Sequence, residues 1–288
     1  MDLFFNTAFD LYQLITHNSF ARVVFALLTG AMIGSFINVV VYRLPQMLKN
    51  YAVIDMHLMH PTELTESRAR ALLADVGLGG RSITPCCDNR IKARHNIPII
   101  SYLFLRGRCA YCSTLISSRY LINELVMALL CVLLVMLGLN NLALFFMTSI
   151  TALLLIVANI DIRYRLLPPQ LTMPIGFTAI LMVHYDLVLI TMSQGIISAI
   201  ALYIFLTVAN DFVAKTKGQI LLGQGDVELI VAVTIAIGAQ MSLTVLALAT
   251  LSSWLVAKIR RVEGKKERAF GQYISVFTFG ALLILVQT

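Results

Sequence analysis

The chain of 288 residues is 59% hydrophobic and only 13% charged, with a mean hydropathy of +0.84 and a formal net charge of +7. This composition excludes an ordinary soluble domain, in which about half of the residues are apolar and about a quarter are charged. The positive charge requires no nucleic acid, because basic residues also orient membrane proteins and attract anionic lipid headgroups. We therefore predict an integral membrane protein that contacts lipid.

Seven apolar windows approach the length that spans a bilayer, and together they predict an all-α polytopic protein. The windows are 23–41, 120–137, 142–160, 171–190, 195–213, 227–257 and 270–286. As one helix the sixth window would measure about 46 Å, against a hydrocarbon core of about 30 Å. Gly238, Ala239 and Gln240 offer a break near its middle. We therefore predict about eight transmembrane helices, and a nearly silent effect of Gly238→Ala in an outer turn.

The first window is expected to be a retained helix and not a secretion signal. It contains Ser35 and Asn38, and it follows the acidic residues Asp2 and Asp10 instead of a basic region. It is therefore counted as the first span.

The positions of lysine and arginine favour eight spans over seven. With the N-terminus outside, eight spans place all but one of the 22 basic residues on the cytoplasmic side, whereas seven would place the cluster at 258–268 outside. The polar, basic stretch between the first two helices would then be a small cytoplasmic insert. We expect an N-terminal transmembrane helix in 1–41, a cytoplasmic cysteine-containing domain in 42–119 and a seven-helix membrane core in 120–288.

Four of the five cysteines lie in this insert and predict a zinc site. A cytoplasmic face is reducing, so the pattern favours a metal site over disulfides, and thiolate ligands favour zinc. A regular pair ending at Cys87 would begin at position 84, which is a threonine. We expect Cys87, Cys109 and Cys112 to be ligands, with reduced, metal-free thiols as the alternative. The fourth place is left open among Cys86, His95, Asp88 and water.

Six acidic residues lie in or beside the predicted spans, where a charge costs a few kcal/mol and is therefore a candidate functional group. They are Glu124, Asp161, Asp186, Asp211, Asp226 and Glu228. Asp161 ends the third span and Asp226 begins the sixth, both on the cytoplasmic side. Such a pair can share a proton, with one group activating water and the other acting on a peptide carbonyl. We predict aspartyl protease chemistry; a boundary charge facing headgroups is the alternative for either residue alone.

Two glycines precede Asp226 in the sequence GQGD. Glycine permits close backbone approach and unusual dihedral angles. We expect Gly223 and Gly225 to leave room for substrate backbone against Asp226.

Five stretches of the chain resemble the type IV prepilin peptidases, bacterial inner-membrane leader peptidases of the GxGD aspartyl protease group. They are GSFINVVVYRLP at 34–45, NIPIISYLFLRGRCAYC at 96–112, ISSRYLINELV at 116–126, DIRYRLLP at 161–168 and GQGD at 223–226. The resemblance places the two catalytic aspartates of the family on Asp161 and Asp226. It places the four-cysteine element on Cys87, Cys109 and Cys112, with Thr84 at the first position.

The resemblance implies two reactions on the cytoplasmic face of the bacterial inner membrane. Members of the family cut type IV prepilins and type II secretion pseudopilins after a glycine that ends a short basic leader. Many then methylate the new N-terminal residue with S-adenosylmethionine. The insert contains no glycine-rich nucleotide motif, so methylation depends on the resemblance alone, with Gly107 and Glu124 as candidate cofactor-binding residues. Alternatively, Glu124 complements the helix dipole or pairs with Arg119.

Three positions depart from the pattern of the family. Pro169 replaces an aspartate, Glu228 replaces a lysine and Thr84 replaces a cysteine. A negative side chain near Asp226 would raise the proton affinity of that aspartate, so we expect a shifted pH optimum. A specialised or weakened paralogue remains an alternative, as does a zinc-stabilised assembly scaffold. An ion-coupled transporter or channel that uses Asp186 or Asp211 is the alternative from another functional class.

Overall fold

The computed structural model describes residues 19–59, 82–84, 86–87, 89–218, 220–259 and 269–287. Within these residues the protein is all-helical, as predicted, and β-structure is limited to isolated bridges. The helices are α1 (Ser19–Met59), a 3₁₀ turn (Ala93–His95), α2 (Ile100–Phe104), α3 (Arg119–Met136), α4 (Asn141–Tyr164), α5 (Pro169–His184), α6 (Met192–Lys217), α7 (Gln224–Ile259) and α8 (Gly271–Leu285). Asp88 and most of the basic cluster at 258–268 lie outside the described residues.

Five of these helices are long and apolar enough to cross a membrane, so the chain is a multi-pass membrane protein. They are α1, α3, α4, α6 and α7. The apolar helix α8 has 15 residues and α5 has 16, so each falls short of a straight span of about 20 residues. Whether α5 and α8 also cross, as eight spans require, stays a prediction.

Helix α1 continues well beyond the end of its apolar window at residue 41. A helix of 41 residues is about 60 Å long, so part of α1 has to extend out of a hydrocarbon core of about 30 Å. The window detects apolar residues and not helicity. Several residues after the window, among them Met47, Leu48 and Lys49, are good helix formers, although Pro45 also lies inside the helix.

Helix α7 is interrupted at Gly238, inside the stretch where the sequence predicts a break. Gly238 has a φ of 72° and a ψ of 172°, a backbone conformation outside the helical region. Two buried hydroxyl groups cross the interruption, because Thr234 Oγ1 lies 2.8 Å from Ser242 Oγ. Ser242 Oγ also donates to the Gly238 carbonyl over 2.7 Å. The two hydroxyls therefore link the two halves of α7 across the break.

The described residues divide into two compact units, which meet in sequence between Leu137 and Gly138. In the first unit α1 packs along α3 at close range. A Cβ atom on Gly34 would lie 2.6 Å from Glu124 Cα, and one on Gly30 would lie 2.6 Å from Ala128 Cα. No side chain fits at either glycine, so the two helices contact each other through their backbones.

In the second unit α7 packs against α5, α6 and α8, and α4 packs against α5 and α8. Fully buried apolar side chains fill the space between these helices, including those of Ile150, Ile175 and Ile230. After α4 the chain turns at Arg165, which has a φ of 51°, and then enters α5. This packing brings the end of α4 and the first turns of α7 and α8 together.

Candidate active site

Asp161 lies in the last turn of α4, where its buried carboxylate meets the first turn of α8. The backbone N–H of Gln272 donates to Asp161 Oδ2 over 3.1 Å, and the N–H of Gly271 donates to the same carboxylate. The first N–H groups of a helix have no partners within the helix and carry partial positive charge. They therefore stabilise the ionised form of Asp161.

Asp226 lies in the first turn of α7 and is half-buried. Its Oδ1 atom is buried and has no hydrogen-bond partner within the part of the chain that the structure describes. Asp226 and Asp161 also lie near one side chain: Gly225, which precedes Asp226, lies against Leu167, and Gly271 lies against both Leu167 and Asp161 Oδ2. The structure thus brings together the two residues that the sequence singles out, and it gives them unequal surroundings.

Leu167, which no sequence pattern singles out, lies between two glycines that flank the aspartates. A Cβ atom on Gly225 would lie 2.5 Å from Leu167 Cβ and 2.7 Å from the Leu167 carbonyl oxygen. A Cβ atom on Gly271 would lie 2.9 Å from Leu167 Cδ1 and 3.2 Å from Asp161 Oδ2. The expectation that Gly225 leaves room for substrate is therefore wrong, because Leu167 occupies that space.

Gly223 makes room for the neighbouring acid itself, since a Cβ atom there would lie 3.2 Å from Asp226 Oδ2.

Two of the residues that depart from the family pattern fit their local surroundings. Pro169 is the first residue of α5, a favoured position for proline. Glu228 accepts hydrogen bonds from Thr172 Oγ1 at 3.4 Å and Gln224 Nε2 at 3.2 Å. The predicted effect of Glu228 on the pH optimum stays a prediction.

The acids of the alternative ion path lie elsewhere in the second unit. Asp186 is exposed in the turn after α5, with a φ of 52°. Asp211 is exposed near the end of α6. Neither side chain is buried, in contrast to the Asp161 carboxylate.

The four cysteines of the insert form one cluster, whose Sγ atoms all lie within 4.8 Å of one another. Two turns position them, and each turn is closed by an antiparallel bridge. Ile83 pairs with Arg90 around Cys86 and Cys87, and Arg108 pairs with Leu115 around Cys109 and Cys112. The cluster could hold a metal ion, and four sulfur donors at this spacing suit tetrahedral zinc.

The sequence leaves the fourth ligand position open among Cys86, His95, Asp88 and water. Cys86 lies in the cluster with the other three cysteines. Its Sγ is 3.1 Å from Cys112 Sγ. His95 instead packs edge-on against the ring of Tyr111. Thr84, which holds the position of the missing cysteine, is buried and places its Oγ1 3.1 Å from Cys87 Sγ.

Hydrogen bonds give the thiols different proton affinities. The side chain and then the backbone of Thr114 lower the pKa of Cys112 to about 6. Hydrogen bonding to Thr84 and Asn89 lowers the pKa of Cys87. Hydrogen bonding to Cys112 raises the pKa of Cys86 to about 12. Two thiols thus have increased thiolate character, the form that binds metal, and metal binding would release the remaining protons.

The two candidate cofactor-binding residues have structural partners in the first unit. Glu124 is buried in α3, and it accepts a hydrogen bond from the Ile99 N–H over 2.7 Å. Gly107 has a φ of 69° in the loop after α2, and a Cβ atom there would lie 3.0 Å from Tyr102 Oη. Gly107 thus meets a backbone requirement, while a role of either residue in binding S-adenosylmethionine stays a prediction.

The sequence is similar to known proteins over most of its length. Residues 28–137 match the bacterial peptidase A24 N-terminal domain, and residues 148–257 match the type IV leader peptidase family. Three similar proteins carry the name prepilin leader peptidase/N-methyltransferase. The one from Dichelobacter nodosus is 32% identical over 88% of this chain and 90% of its own length. The one from Dickeya chrysanthemi is 32% identical over 90% and 92%, and the one from Aeromonas salmonicida strain A449 is 33% identical over 89% and 88%.

No solved structure matches the chain significantly. The sequence relatives nevertheless exceed 30% identity and align over nearly the whole of both chains. The carboxyl pair and the cysteine cluster lie inside the two matched regions. The chain therefore belongs to the type IV leader peptidase family.

Proposed function

We propose that this protein is an intramembrane aspartyl endopeptidase that removes the short basic leader from type IV prepilins or type II secretion pseudopilins. Methylation of the new N-terminal residue follows, with S-adenosylmethionine supplying the methyl group. The observation that carries the peptidase activity is the placement of Asp161 and Asp226, two acids from different helices that lie beside the same leucine, Leu167. Membership in the leader peptidase family and the names of the relatives support the choice of substrate.

The unequal surroundings of the two acids suggest their roles. Asp161 accepts hydrogen bonds from backbone N–H groups at the start of α8. It is the ionised base and takes a proton from the attacking water. Asp226, whose Oδ1 has no partner among the described residues, carries a proton and donates it to the peptide carbonyl oxygen. The water oxygen bonds to the carbonyl carbon. Collapse of this intermediate breaks the C–N bond, Asp161 transfers its proton to the departing amine, and Asp226 regains its own.

The substrate is expected to reach the pair from the cytoplasmic side of the bacterial inner membrane. Basic residues concentrate in the segments that eight spans place inside the cell. A basic leader would lie among the headgroups while the apolar segment that follows it stays in the bilayer. The junction between the leader and the apolar segment would then lie at the membrane boundary, near Asp161 in the last turn of α4 and Asp226 in the first turn of α7.

Zinc is proposed as the structural metal, held by Cys86, Cys87, Cys109 and Cys112. Bound metal supplies folding free energy to small domains with few apolar residues. Gly107 and Glu124 remain candidates for supporting the methyl transfer. The insert would therefore serve methylation, and the acids of the second unit would serve cleavage.

Co-expression with a prepilin tests the peptidase assignment. Asp161→Asn and Asp226→Asn are each expected to abolish leader removal while the protein stays inserted in the membrane. Asp211→Asn, an exposed acid of the same unit, is the matched control and should process normally. The size and N-terminal mass of the pilin are the measurements. Normal processing by either dyad variant would end the assignment.

A further inference from the structure

An exposed apolar patch lies on and beside α2 in the first unit, and the proposed chemistry gives it no role. It consists of Ile97, Ile100, Leu103 and Phe104, whose side chains are 45%, 57%, 62% and 89% exposed. Four large apolar residues this close in sequence are unusual on a surface that faces water. We therefore expect another molecule to cover this patch.

A hydrogen bond holds the patch at the depth of a transmembrane helix. The Ile99 N–H donates to Glu124 Oε2 over 2.7 Å, and Glu124 lies about one and a half turns into α3. Ile99 has a φ of 63°, which is rare for a β-branched residue, so this contact accompanies a strained backbone. Since α3 is long and apolar enough to cross the membrane, the start of α2 lies close to the level at which α3 enters it.

Two further contacts hold the middle of α2 and the loop after it near the same level. Tyr102 Oη donates to the Ile116 carbonyl over 3.2 Å, and the Ile116 N–H donates to the Gly107 carbonyl over 2.8 Å. Ile116 lies three residues before the start of α3. The start of α2, its middle and the loop after it are thus hydrogen-bonded to the segment where the chain enters the bilayer.

The charge around the patch matches an anionic membrane surface. Residues 89–119 contain no acidic residue. They contain six basic residues, all of them exposed: Arg90, Lys92, Arg94, Arg106, Arg108 and Arg119. Apolar side chains flanked by basic residues at the membrane boundary are typical of segments that lie in the lipid interface.

We propose that the patch lies in the interfacial layer of the lipid bilayer. Ile100, Leu103 and Phe104 contact the upper part of the acyl chains, and the flanking arginines and lysine contact anionic headgroups. The short helix α2 is then a membrane-surface anchor in addition to the transmembrane helices. Because Cys109 follows α2 within one loop, the anchor also keeps the cysteine cluster close to the membrane surface.

Quenching of tryptophan fluorescence by brominated lipid tests this proposal in the full-length protein. Trp254 is the only tryptophan, so Trp254→Phe gives a silent background. Phe104→Trp is then placed in vesicles of phosphatidylcholine and phosphatidylglycerol, with bromine near the glycerol end of the acyl chains or without bromine. We expect blue-shifted emission that falls by at least half with brominated lipid. Omitting phosphatidylglycerol should reduce the quenching, and an unchanged signal would contradict the role of the basic residues.

Tyr51→Trp in the same background is the control from the same unit. Asn38 Nδ2 donates to the Tyr120 carbonyl, so Asn38 of α1 is level with the first turn of α3. Tyr51, also exposed, lies about 20 Å further along α1, and a tryptophan there should show emission typical of water and no quenching. The proposal is overturned if the Phe104→Trp variant behaves like the Tyr51→Trp variant. Blue-shifted emission without quenching would overturn it as well, because the patch would then be covered by protein.

Discussion

Leu167 explains why position 225 is a glycine, and it changes the effect expected of a substitution there. An alanine Cβ at residue 225 would already overlap the Leu167 carbonyl oxygen, which no side-chain rotation relieves. We therefore expect Gly225→Ala, and not only Gly225→Val, to displace Asp226 and lower cleavage about 100-fold, as misplacements of about 1 Å can do. Precursor and mature pilin are compared at matched enzyme levels.

Gly280→Ala is the control for this substitution, because a Cβ atom at residue 280 would meet nothing within 4 Å. It should cleave at the wild-type rate. Wild-type cleavage by Gly225→Ala would show that the contact between Leu167 and Gly225 does not hold the active site together.

The cysteine cluster gives a second prediction for single residues. Because Cys86 lies with the other three thiols, Cys86→Ser should reduce bound zinc from about one atom per chain to near zero, as Cys112→Ser should. Cys131→Ser, a buried cysteine within α3, should keep the metal. Metal analysis of freshly purified, reduced protein is the measurement. About one zinc atom per chain in Cys86→Ser would show that another group is the fourth ligand. Absence of zinc from the wild-type protein would contradict the site altogether.

The two acids could be predicted from the sequence, but the residues that contact them could not. Acidic residues are rare in apolar segments, so Asp161 and Asp226 stand out. The donors to Asp161 are backbone N–H groups of Gly271 and Gln272, more than a hundred residues away, and every residue except proline carries such a group. Leu167 looks like any leucine. For this reason the chemistry could be predicted and the packing that positions it could not.

Among the helices, the break in α7 could be predicted because length and glycine placement both pointed to it. The expectation that Gly238→Ala is nearly silent does not agree with the structure. Gly238 has a φ of 72°, where a Cβ is unfavourable, and that Cβ would lie 3.0 Å from Ile190 Cδ1. We expect Gly238→Ala to lower the free energy of unfolding by about 1–3 kcal/mol, because this combination of φ and ψ is open almost only to glycine. A lower melting temperature in detergent, relative to Gly280→Ala, checks this, and equal values would contradict it.

At the scale of the whole chain, the start of α8 bears on the number of membrane crossings. The Gln272 N–H at the start of α8 donates to Asp161. Gly271 lies against Leu167, and so does Gly225 at the start of α7. The chain therefore leaves the level of Asp226 along α7 and is back at that level when α8 begins. If α7 crossed the membrane once, Gly271 would lie on the opposite side. Two crossings, separated at Gly238, satisfy both contacts, as the prediction of eight spans requires.

Eight spans predict where reporters fused to the chain will be active. A fluorescent protein that folds only in the cytoplasm should be bright when inserted at residue 262 and dark when fused after Thr288. An alkaline phosphatase that works only outside should give the opposite pattern. The physical reason is that Lys258 and the basic residues that follow it resist translocation, while α8 carries no charge and can cross. Insertions near residue 80 and residue 216 serve as controls and should both report the cytoplasm. A bright fusion at Thr288 together with an external residue 262 would establish seven spans and require the contact between Gln272 and Asp161 to be absent.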